Sequence, residues 1–379
     1  MNTLELRKSL LSPPGDTLQE HIEHIGMSQA ELAERMGRSI PKLNELIKGK
    51  APLSKDTALK LEYVLNIPAS FWLNREQEYQ EELLEIEKLE FLESNESWLN
   101  GFPIPMLKKL NLITQSNKKT ELVDSLLKFF RVASPVEWSS VYEHQSLAFK
   151  IDLKHQIDPK SIATWLRIGE YQAEKIELMD FDKKKLTESL PKIQSICFQP
   201  PKNWMKELQN VFASFGVALV YTPSVPKAPI YGAARWIKNK SIPLIQLTDR
   251  QKDYNAFWFS LYHELAHIRY HNKSEIFIEG IESIEPNPEK EKEADDFASK
   301  IMMSESALIQ LKNEEFKSIQ SLENFSNKFK INISILVSQL QRIKKLSYND
   351  FKVNRLKIKV DFEEFIDPIL YLCTLIITI

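Results

Sequence analysis

The chain is poor in glycine and cysteine. Nine of its 379 residues are glycine, about a third of the usual share of about 7%, and no stretch matches either glycine-rich nucleotide-binding fingerprint. We therefore do not expect a phosphate-loop enzyme. The two cysteines, Cys197 and Cys373, share no motif, which argues against a disulfide framework or a cysteine zinc site. We therefore expect the protein to lie in the reducing cytoplasm.

The chain also lacks an excess of one charge and a long hydrophobic run. The 50 basic and 52 acidic side chains nearly cancel, so any binding to nucleic acid must be local. The start of the chain is charged where a signal peptide needs an apolar run. Residues 369–379 are almost wholly apolar, but a bilayer-spanning helix needs about 20 residues. We expect a terminal strand or helix packed on the core, and no membrane partner.

The residues that are present predict an α+β protein that is mostly helical. At about 150 residues per domain, the length indicates two or three domains. We expect an all-helical domain at 1–80, a helical connector or scaffold at 81–200, a domain with long helices and a small sheet at 201–346, and a tail at 347–379.

Short helical patterns separated by glycines fill the N-terminal domain. Ser28 and Glu31 have the spacing of a capping box. Ser39 precedes a helix that tolerates Pro41 in its first turn, and Ser54 opens the next helix. The expected helices are 16–25, 28–36, 39–48 and 54–66, one from Pro68 onward, and a charged amphipathic helix at 78–93.

Two of these helices have the arrangement of a helix-turn-helix motif. Residues 29–36 would be the positioning helix and 39–48 the recognition helix, joined at Gly37-Arg38. Residues 35–60 hold seven basic and two acidic side chains, whereas 12–34 hold five acidic ones and no Lys or Arg. This distribution favours a DNA operator as partner. The expected contacts are phosphates for Gln29, Arg38, Lys48 and Lys50, and base edges for Ser39, Lys42 and Asn44.

A helical bundle for dimerisation or protein contact is the alternative for this domain. Pro41 and Glu45 favour it, because neither is typical of a recognition helix that contacts bases.

The same region resembles the Xre/HigA-type antitoxin and repressor domain over roughly residues 12–80. The matching stretches are Pro14-Gly15, Met27 to Ala33, Ile47 to Lys50 and Ile67 to Trp72. Such domains commonly bind operators as dimers, so the resemblance implies operator DNA and a homodimer as partners.

Beyond Pro200-Pro201 the pattern changes to short strands beside long helices. The expected strands are 217–221, 231–237 and 244–247. The expected helices are 203–215, 253–271 and 288–303, with two more within 321–343. Within the connector, 118–131 and 161–177 have apolar spacing that suits helices.

Residues 263–267 read His-Glu-Leu-Ala-His. On a helix, positions i and i+4 lie on one face about 6 Å apart along the axis, so His263 and His267 can bind one zinc ion. Glu264 lies one residue round the helix, where it can act as general base toward a water molecule at the metal. With seven histidines in the chain, roughly 0.01 such matches arise by chance, so an exposed polar stripe is the weaker interpretation. Four apolar residues of this helix would face the core: Phe257, Leu261, Leu265 and Ile268.

Zinc needs a third protein ligand. His271 lies about 12 Å of helix rise from His263, too far for one ion to hold both. The metzincin pattern is excluded, because Tyr270 and Lys273 stand where it requires glycine and histidine.

The better donor is a downstream helix whose alanines permit close approach. Glu291 on this helix can complete a His-His-Glu site, with Glu293 as second choice. Asp295, one turn after Glu291, can hydrogen-bond a ligand imidazole. The face consists of Glu291, Ala294, Asp295 and Ala298.

The C-terminal half resembles the ImmA/IrrE family of zinc metallopeptidases over roughly residues 190–345. The matching residues are Tyr231 to Trp236, Phe257 to Phe259, His263 to His267 and Glu291 to Ala298. The resemblance implies a gluzincin-like peptidase that cleaves or inactivates a helix-turn-helix repressor. By position, it implies zinc ligation by His263, His267 and Glu291, with Glu264 as the base.

The chemistry of such a site is peptide hydrolysis. Zinc acidifies a water molecule and polarises the peptide carbonyl, and Glu264 takes the proton and returns it to the leaving amine. We expect the strand at 231–237 to pair with an extended substrate. Tyr231, Arg235 and His271 are candidates for stabilising the oxyanion.

Two functions follow from these patterns. The first is a DNA-binding regulator whose zinc peptidase acts on a repressor or antitoxin, on its own N-terminal domain, or on a partner toxin. The second is a non-proteolytic autoregulated repressor or antitoxin that uses the peptidase-like domain as a sensor or partner-binding module. The ligand set together with Glu264 favours the first, because a pure binding domain does not need a base; it also argues against a structural metal.

Overall fold

The computed structural model of the protein describes residues 3–143, 158–250, 252–279, 288–360 and 362. These residues form two compact units. The first runs to Trp98 and includes 117–124, and the second contains 99–116 and the described residues from Ser125 onward. The predicted terminal element at 369–379 lies outside the described residues. None of the helices described is long and apolar enough to cross a lipid bilayer.

The first unit is all helical. Its helices are α1 (Thr3–Leu10), α2 (Pro14–His24), α3 (Gln29–Arg35), α4 (Ile40–Ile47), α5 (Lys55–Leu65) and α6 (Ala69–Ser94). Twelve buried side chains form its core: Leu18, Ile22, Leu32, Ala33, Met36, Leu43, Leu46, Leu53, Ala58, Leu61, Leu65 and Trp72.

Local capping explains where several of these helices begin and end. The Ser54 hydroxyl accepts a hydrogen bond from the backbone N–H of Thr57, and α5 ends at Asn66 in the left-handed conformation, with φ 54°. The predicted capping box at Ser28 forms only in part. Its hydroxyl accepts from the N–H of Glu31, but the Glu31 carboxylate pairs with Arg35.

Two other details of the helix prediction are wrong. Ser39 occupies the N-cap position of α4, but its side chain makes no capping hydrogen bond. The two helices expected after Pro68 are one continuous helix of 26 residues. No glycine or proline interrupts 69–94, so the backbone hydrogen bonds continue through the point where the apolar spacing weakens.

Eight helical segments lie between α6 and the first strand among the described residues. They are a 3₁₀ helix (Glu96–Leu99), α7 (Ile104–Lys109), α8 (Lys119–Phe130), α9 (Pro135–Trp138), a π-helical turn (Ser139–Glu143), α10 (Pro159–Ala173), α11 (Lys183–Phe198) and α12 (Trp204–Ser214). After the strands follow α13 (Tyr254–Tyr270), α14 (Pro288–Met302), α15 (Glu305–Asn313), α16 (Ile319–Phe329), α17 (Ile333–Arg342) and α18 (Phe351–Asn354).

The second unit contains a four-stranded sheet in the order β1-β3-β2-β4. β1 runs parallel to β3, whereas β2 runs antiparallel to both β3 and β4. The strands are β1 (Ala218–Thr222), β2 (Gly232–Ile237), β3 (Ile242–Thr248) and β4 (Phe277–Glu279). Three strands were predicted within a few residues. β4 was not, because three residues are too few to show an alternating pattern.

Helices cover both faces of this sheet, as the alternation along β3 shows. Ile245 and Leu247 belong to the large core that includes α13, whereas Leu244 packs with Ala173 of α10 on the other face. Polar contacts also join α10 to the sheet. Arg235 Nη1 donates to Glu170 Oε1 at 2.7 Å, and Gln246 Nε2 donates to the carbonyl of Trp165 at 2.6 Å. The predicted α+β, mostly helical fold class is confirmed.

Candidate metal centre and nucleic-acid interface

Helix α13 presents the His-Glu-Leu-Ala-His segment. The Asp253 carboxylate begins the helix by accepting a hydrogen bond from the N–H of Ala256. The apolar face of α13 is buried, as the spacing predicts. The face that carries His263 and His267 is thereby turned toward α14. The buried apolar residues are Phe257, Leu261, Leu265 and Ile268.

Helix α14 packs closely against α13. Ala294 and Ala298 are fully buried, and because their side chains are small the two helices can approach each other. The three acidic groups of α14 that concern the site, Glu291, Glu293 and Asp295, are exposed.

Three side chains converge between these helices. His263 Nε2 lies 3.0 Å from His267 Nε2 and 3.1 Å from Glu291 Oε2. His267 Nε2 lies 3.8 Å from the same carboxylate oxygen. A tetrahedral zinc ion with bonds of about 2.0–2.1 Å separates its ligand atoms by about 3.3 Å. The residues therefore fit such an ion both in chemistry and in spacing.

The outer nitrogens of the two histidines also have partners. His263 Nδ1 lies 2.9 Å from Asp295 Oδ1. His267 Nδ1 lies 2.8 Å from His271 Nδ1, and His271 Nε2 lies 3.3 Å from Glu293 Oε2. The contact between His267 and His271 was not predicted, although their spacing of i, i+4 could have indicated it.

Glu264 is wholly buried beside the two histidines. Among the described residues, neither of its carboxylate oxygens has a hydrogen-bond partner. Burial raises its pKa well above the usual range, and the neighbouring carboxylates Glu279 and Glu291 add to that shift. A buried carboxylate without partners indicates that the site holds a further polar species in its working form.

The electrostatics of the site favour a cation. Burial lowers the pKa of His267 to about 2, with further lowering from His263. Burial also acts to lower the pKa of His263, but its hydrogen bond to Glu291 and the charges of Glu264 and Glu279 outweigh burial and raise it to about 9. The acidic groups around the two histidines thus favour a positive charge at this position.

The three candidates for oxyanion stabilisation do not lie together. Arg235 points to the α10 face of the sheet, where it pairs with Glu170 and donates to the carbonyl of Leu166, so that expectation is wrong for Arg235. His271 contacts His267 and Glu293. Tyr231 lines a small pocket with Thr248 and Ser260 and stays a prediction.

The expectation that β2 pairs with substrate is wrong for its first half. Gly232–Ala234 already pair with Phe277–Glu279 of β4 on one side and with β3 on the other. In the described sheet the outer strand on this side is β4. Its residue Phe277 stacks on the His267 ring at 3.8 Å between centroids, so this strand borders the metal centre directly.

The helix-turn-helix residues lie on α3, on α4 and in the turn between them. Gly37 takes φ +60° in this turn, a conformation that favours glycine. Ser39, Lys42, Lys48 and Lys50 are exposed, and Asn44 is half-buried. The exposed side of α4 therefore carries Lys42 and borders Lys48.

Two further residues proposed to contact DNA are engaged within the unit. Gln29 Nε2 donates to Gln19 Oε1 at 2.6 Å, and Arg38 Nη1 donates to Thr57 Oγ1 at 2.7 Å. Both side chains are half-buried, so they can brace α3 and the turn while part of each remains accessible.

Comparison with known proteins places each region in a family. The model of the IrrE N-terminal-like domain, the peptidase M78 family, matches residues 213–340, and the members of this family are typically metal-dependent peptidases. A helix-turn-helix model matches residues 18–72. An uncharacterized HTH-type transcriptional regulator, YddM of Escherichia coli (strain K12), is 33% identical over 75 residues, which are 20% of this chain and 78% of that protein. The chain therefore belongs to the helix-turn-helix transcriptional regulators, and it joins to the DNA-binding domain a domain of the IrrE N-terminal-like peptidase family.

Proposed function

We propose that this regulator is also a zinc-dependent endopeptidase that cleaves a repressor- or antitoxin-type protein. The observation that carries the proposal is the convergence of His263, His267 and Glu291 beside the buried Glu264. A site with three protein ligands leaves a coordination position open for chemistry, whereas structural zinc sites are closed by four.

Two imidazoles and one carboxylate would hold the metal. When bound there, zinc supplies a Lewis acid that acidifies water and polarises a carbonyl. Asp295 would orient His263, because a carboxylate on the outer nitrogen of a ligand imidazole fixes both its ring orientation and its tautomer.

Glu264 would move the proton. Its carboxylate lies on the residue after His263, and burial raises its pKa, so the group binds a proton more readily than an exposed glutamate. A base that must later return the proton to a leaving amine needs this property, since its pKa should lie near the working pH.

The substrate would bind as an extended segment along β4. This strand is at the edge of the described sheet, and strand addition uses backbone groups that a neighbouring strand leaves unpaired. Its stacking contact with His267 places the added segment next to the metal centre.

The first unit would direct this activity to DNA-bound regulators. The basic stretch that includes α4 supports operator DNA as partner. A homodimer is the further partner that the resemblance of this unit to dimeric repressor domains supports. A cognate toxin is the other protein partner we propose to test.

Metal analysis and cleavage assays test the proposal. The wild-type protein and its Glu264→Gln variant are each expressed with helix-turn-helix repressors and antitoxins from the same cell, and new peptide termini are identified by mass spectrometry. Glu264→Gln keeps the ligands and the shape of the side chain, so it should bind zinc but generate no fragments. The isolated first unit serves as an additional substrate in the assay.

The second candidate function is a DNA-binding regulator whose peptidase-like domain does not cleave proteins. The full burial of Glu264 favours it, because a base enclosed by protein has no direct access to a peptide. Under this alternative the peptidase-like domain senses a ligand or partner. Zinc bound at full occupancy, with no fragment specific to the wild type under any inducing condition, would establish the alternative and end the peptidase proposal.

A further inference from the structure

Helix α14 supports the two ligand histidines in two different ways. His263 Nδ1 meets a carboxylate directly, at 2.9 Å from Asp295 Oδ1. His267 Nδ1 meets another imidazole, at 2.8 Å from His271 Nδ1. The far nitrogen of His271 then lies 3.3 Å from Glu293 Oε2. The outer nitrogen of His267 thus reaches α14 through His271.

One arrangement of protons satisfies this whole chain of groups. A neutral His267 that offers Nε2 to a metal carries its proton on Nδ1. That N–H donates to His271 Nδ1, so the proton of neutral His271 lies on Nε2. This second N–H donates to the Glu293 carboxylate, which can only accept when ionised. The contacts therefore select the tautomer of His267 whose Nε2 lone pair faces Glu291.

Packing holds the rings of this chain in place. The His271 side chain is only 3% exposed, and its backbone N–H ends α13 by donating to the carbonyl of His267 at 3.1 Å. The Phe277 ring stacks on His267 at 3.8 Å and lies 5.2 Å from the His271 ring. The stacked Phe277 ring restricts rotation of the His267 imidazole.

We propose that His271 and Glu293 are positioning residues of the metal centre, forming a relay that orients His267 and sets the affinity of the site for zinc. The inference rests on the zinc site of the proposed function, but it requires no proteolysis. Loss of the outer partner of a metal-ligating histidine typically costs 10- to 100-fold in metal affinity or activity.

The test measures zinc affinity by competition with a chromophoric chelator, the visible spectrum of the Co²⁺-substituted protein, and the unfolding midpoint of the metal-free protein. His271→Phe keeps a ring against Phe277 and removes both nitrogens. His271→Asn keeps an acceptor near the position of Nδ1. Glu293→Gln removes the terminal charge, and Asp296→Asn, at an exposed residue of the same helix, is the charge-matched control.

We expect His271→Phe to weaken zinc binding by about 10- to 100-fold and to shift the Co²⁺ bands. Glu293→Gln should weaken binding less, His271→Asn should recover most of the affinity, and Asp296→Asn should match the wild type, all with unchanged midpoints. The relay is refuted if His271→Phe binds zinc like the wild type, or if Asn and Phe lose affinity equally. A wild-type protein that binds no zinc overturns this inference and the peptidase proposal together. Tight zinc binding without cleavage overturns only the peptidase proposal.

Discussion

A methyl group on Gly232 would lie 2.8 Å from Oε1 of Glu264 and 3.1 Å from its Cγ. The hydrogen of Gly232 is therefore what leaves room for the buried carboxylate. The φ angle of Gly232 lies outside the left-handed region, so the restriction comes from the space beside Glu264 and not from backbone strain.

Gly232→Ala should displace the base while preserving the fold. The clash is with the end of a flexible side chain, which can move, so β2 can keep its pairing. General-base catalysis contributes about 100-fold or more to the rate. A displaced base should lose a large part of that contribution, so we expect cleavage to slow by at least about 10-fold. Zinc content, measured by mass spectrometry on the purified variant, should equal that of the wild type. Wild-type turnover in the fully loaded variant would contradict this role for Gly232.

Glu291→Ala should abolish tight metal binding. It removes one of three ligand atoms, and loss of a supporting group alone costs 10- to 100-fold in affinity, so we expect a loss on the order of 100-fold or more. Excess zinc should then no longer raise the unfolding midpoint, although at about 100 times its dissociation constant it should stabilise the wild type by about 2.7 kcal/mol. Glu289→Ala, at an exposed residue of the same helix, is the control. If zinc still stabilised the Glu291→Ala variant, a residue other than Glu291 would have to be the third ligand.

Lys48→Ala should weaken DNA binding without changing sequence preference. Lys48 is exposed at the C-terminal end of α4, where we propose a phosphate contact, and such contacts are independent of base sequence. Titration of a short random-sequence duplex at several salt concentrations should show a salt slope lower by about 1. Lys206→Ala, an exposed lysine of α12, should leave the slope unchanged. An unaltered salt slope in the Lys48 variant would show that Lys48 does not contact a phosphate.

Cys197 should resist thiol reagents until the second unit unfolds. The residue is buried in the core that includes α13, and burial raises the pKa of its thiol. The thiol stays protonated and inert at pH 8, since the thiolate is the reactive species. Ellman's reagent applied to a Cys373→Ser variant should detect no thiol before denaturant is added and one afterwards. Rapid labelling of the native variant would show that this part of the core opens readily.

Local spacing was enough to predict which side chains converge between α13 and α14. His263 and His267 share a face because they are four residues apart, and the apolar residues around them decide which face of α13 is buried. The alanines of α14 indicated which side of that helix approaches α13. Each of these features depends only on the geometry of a single helix.

Contacts between distant segments could not be predicted in this way. The chain alone does not reveal that His271 meets a carboxylate 22 residues further on, or that Arg235 faces α10 and not the candidate metal centre. β4 pairs with β2 across more than forty residues of chain, yet has only three residues of its own. Such pairings are set by how all layers of the fold pack, and no short window contains that information.

The sequence by itself determined the two families of domains, the fold class and the three residues of the candidate metal site, since these depend on residue chemistry and on helical periodicity. Only the tertiary structure decided which atoms lie near one another: the hydrogen-bond chain from His267 to Glu293, the space that Gly232 leaves for Glu264, and the place of β4 at the edge of the sheet. The physical reason is that hydrogen bonds and van der Waals contacts act over a few ångströms, and folding brings residues far apart in the chain within that range.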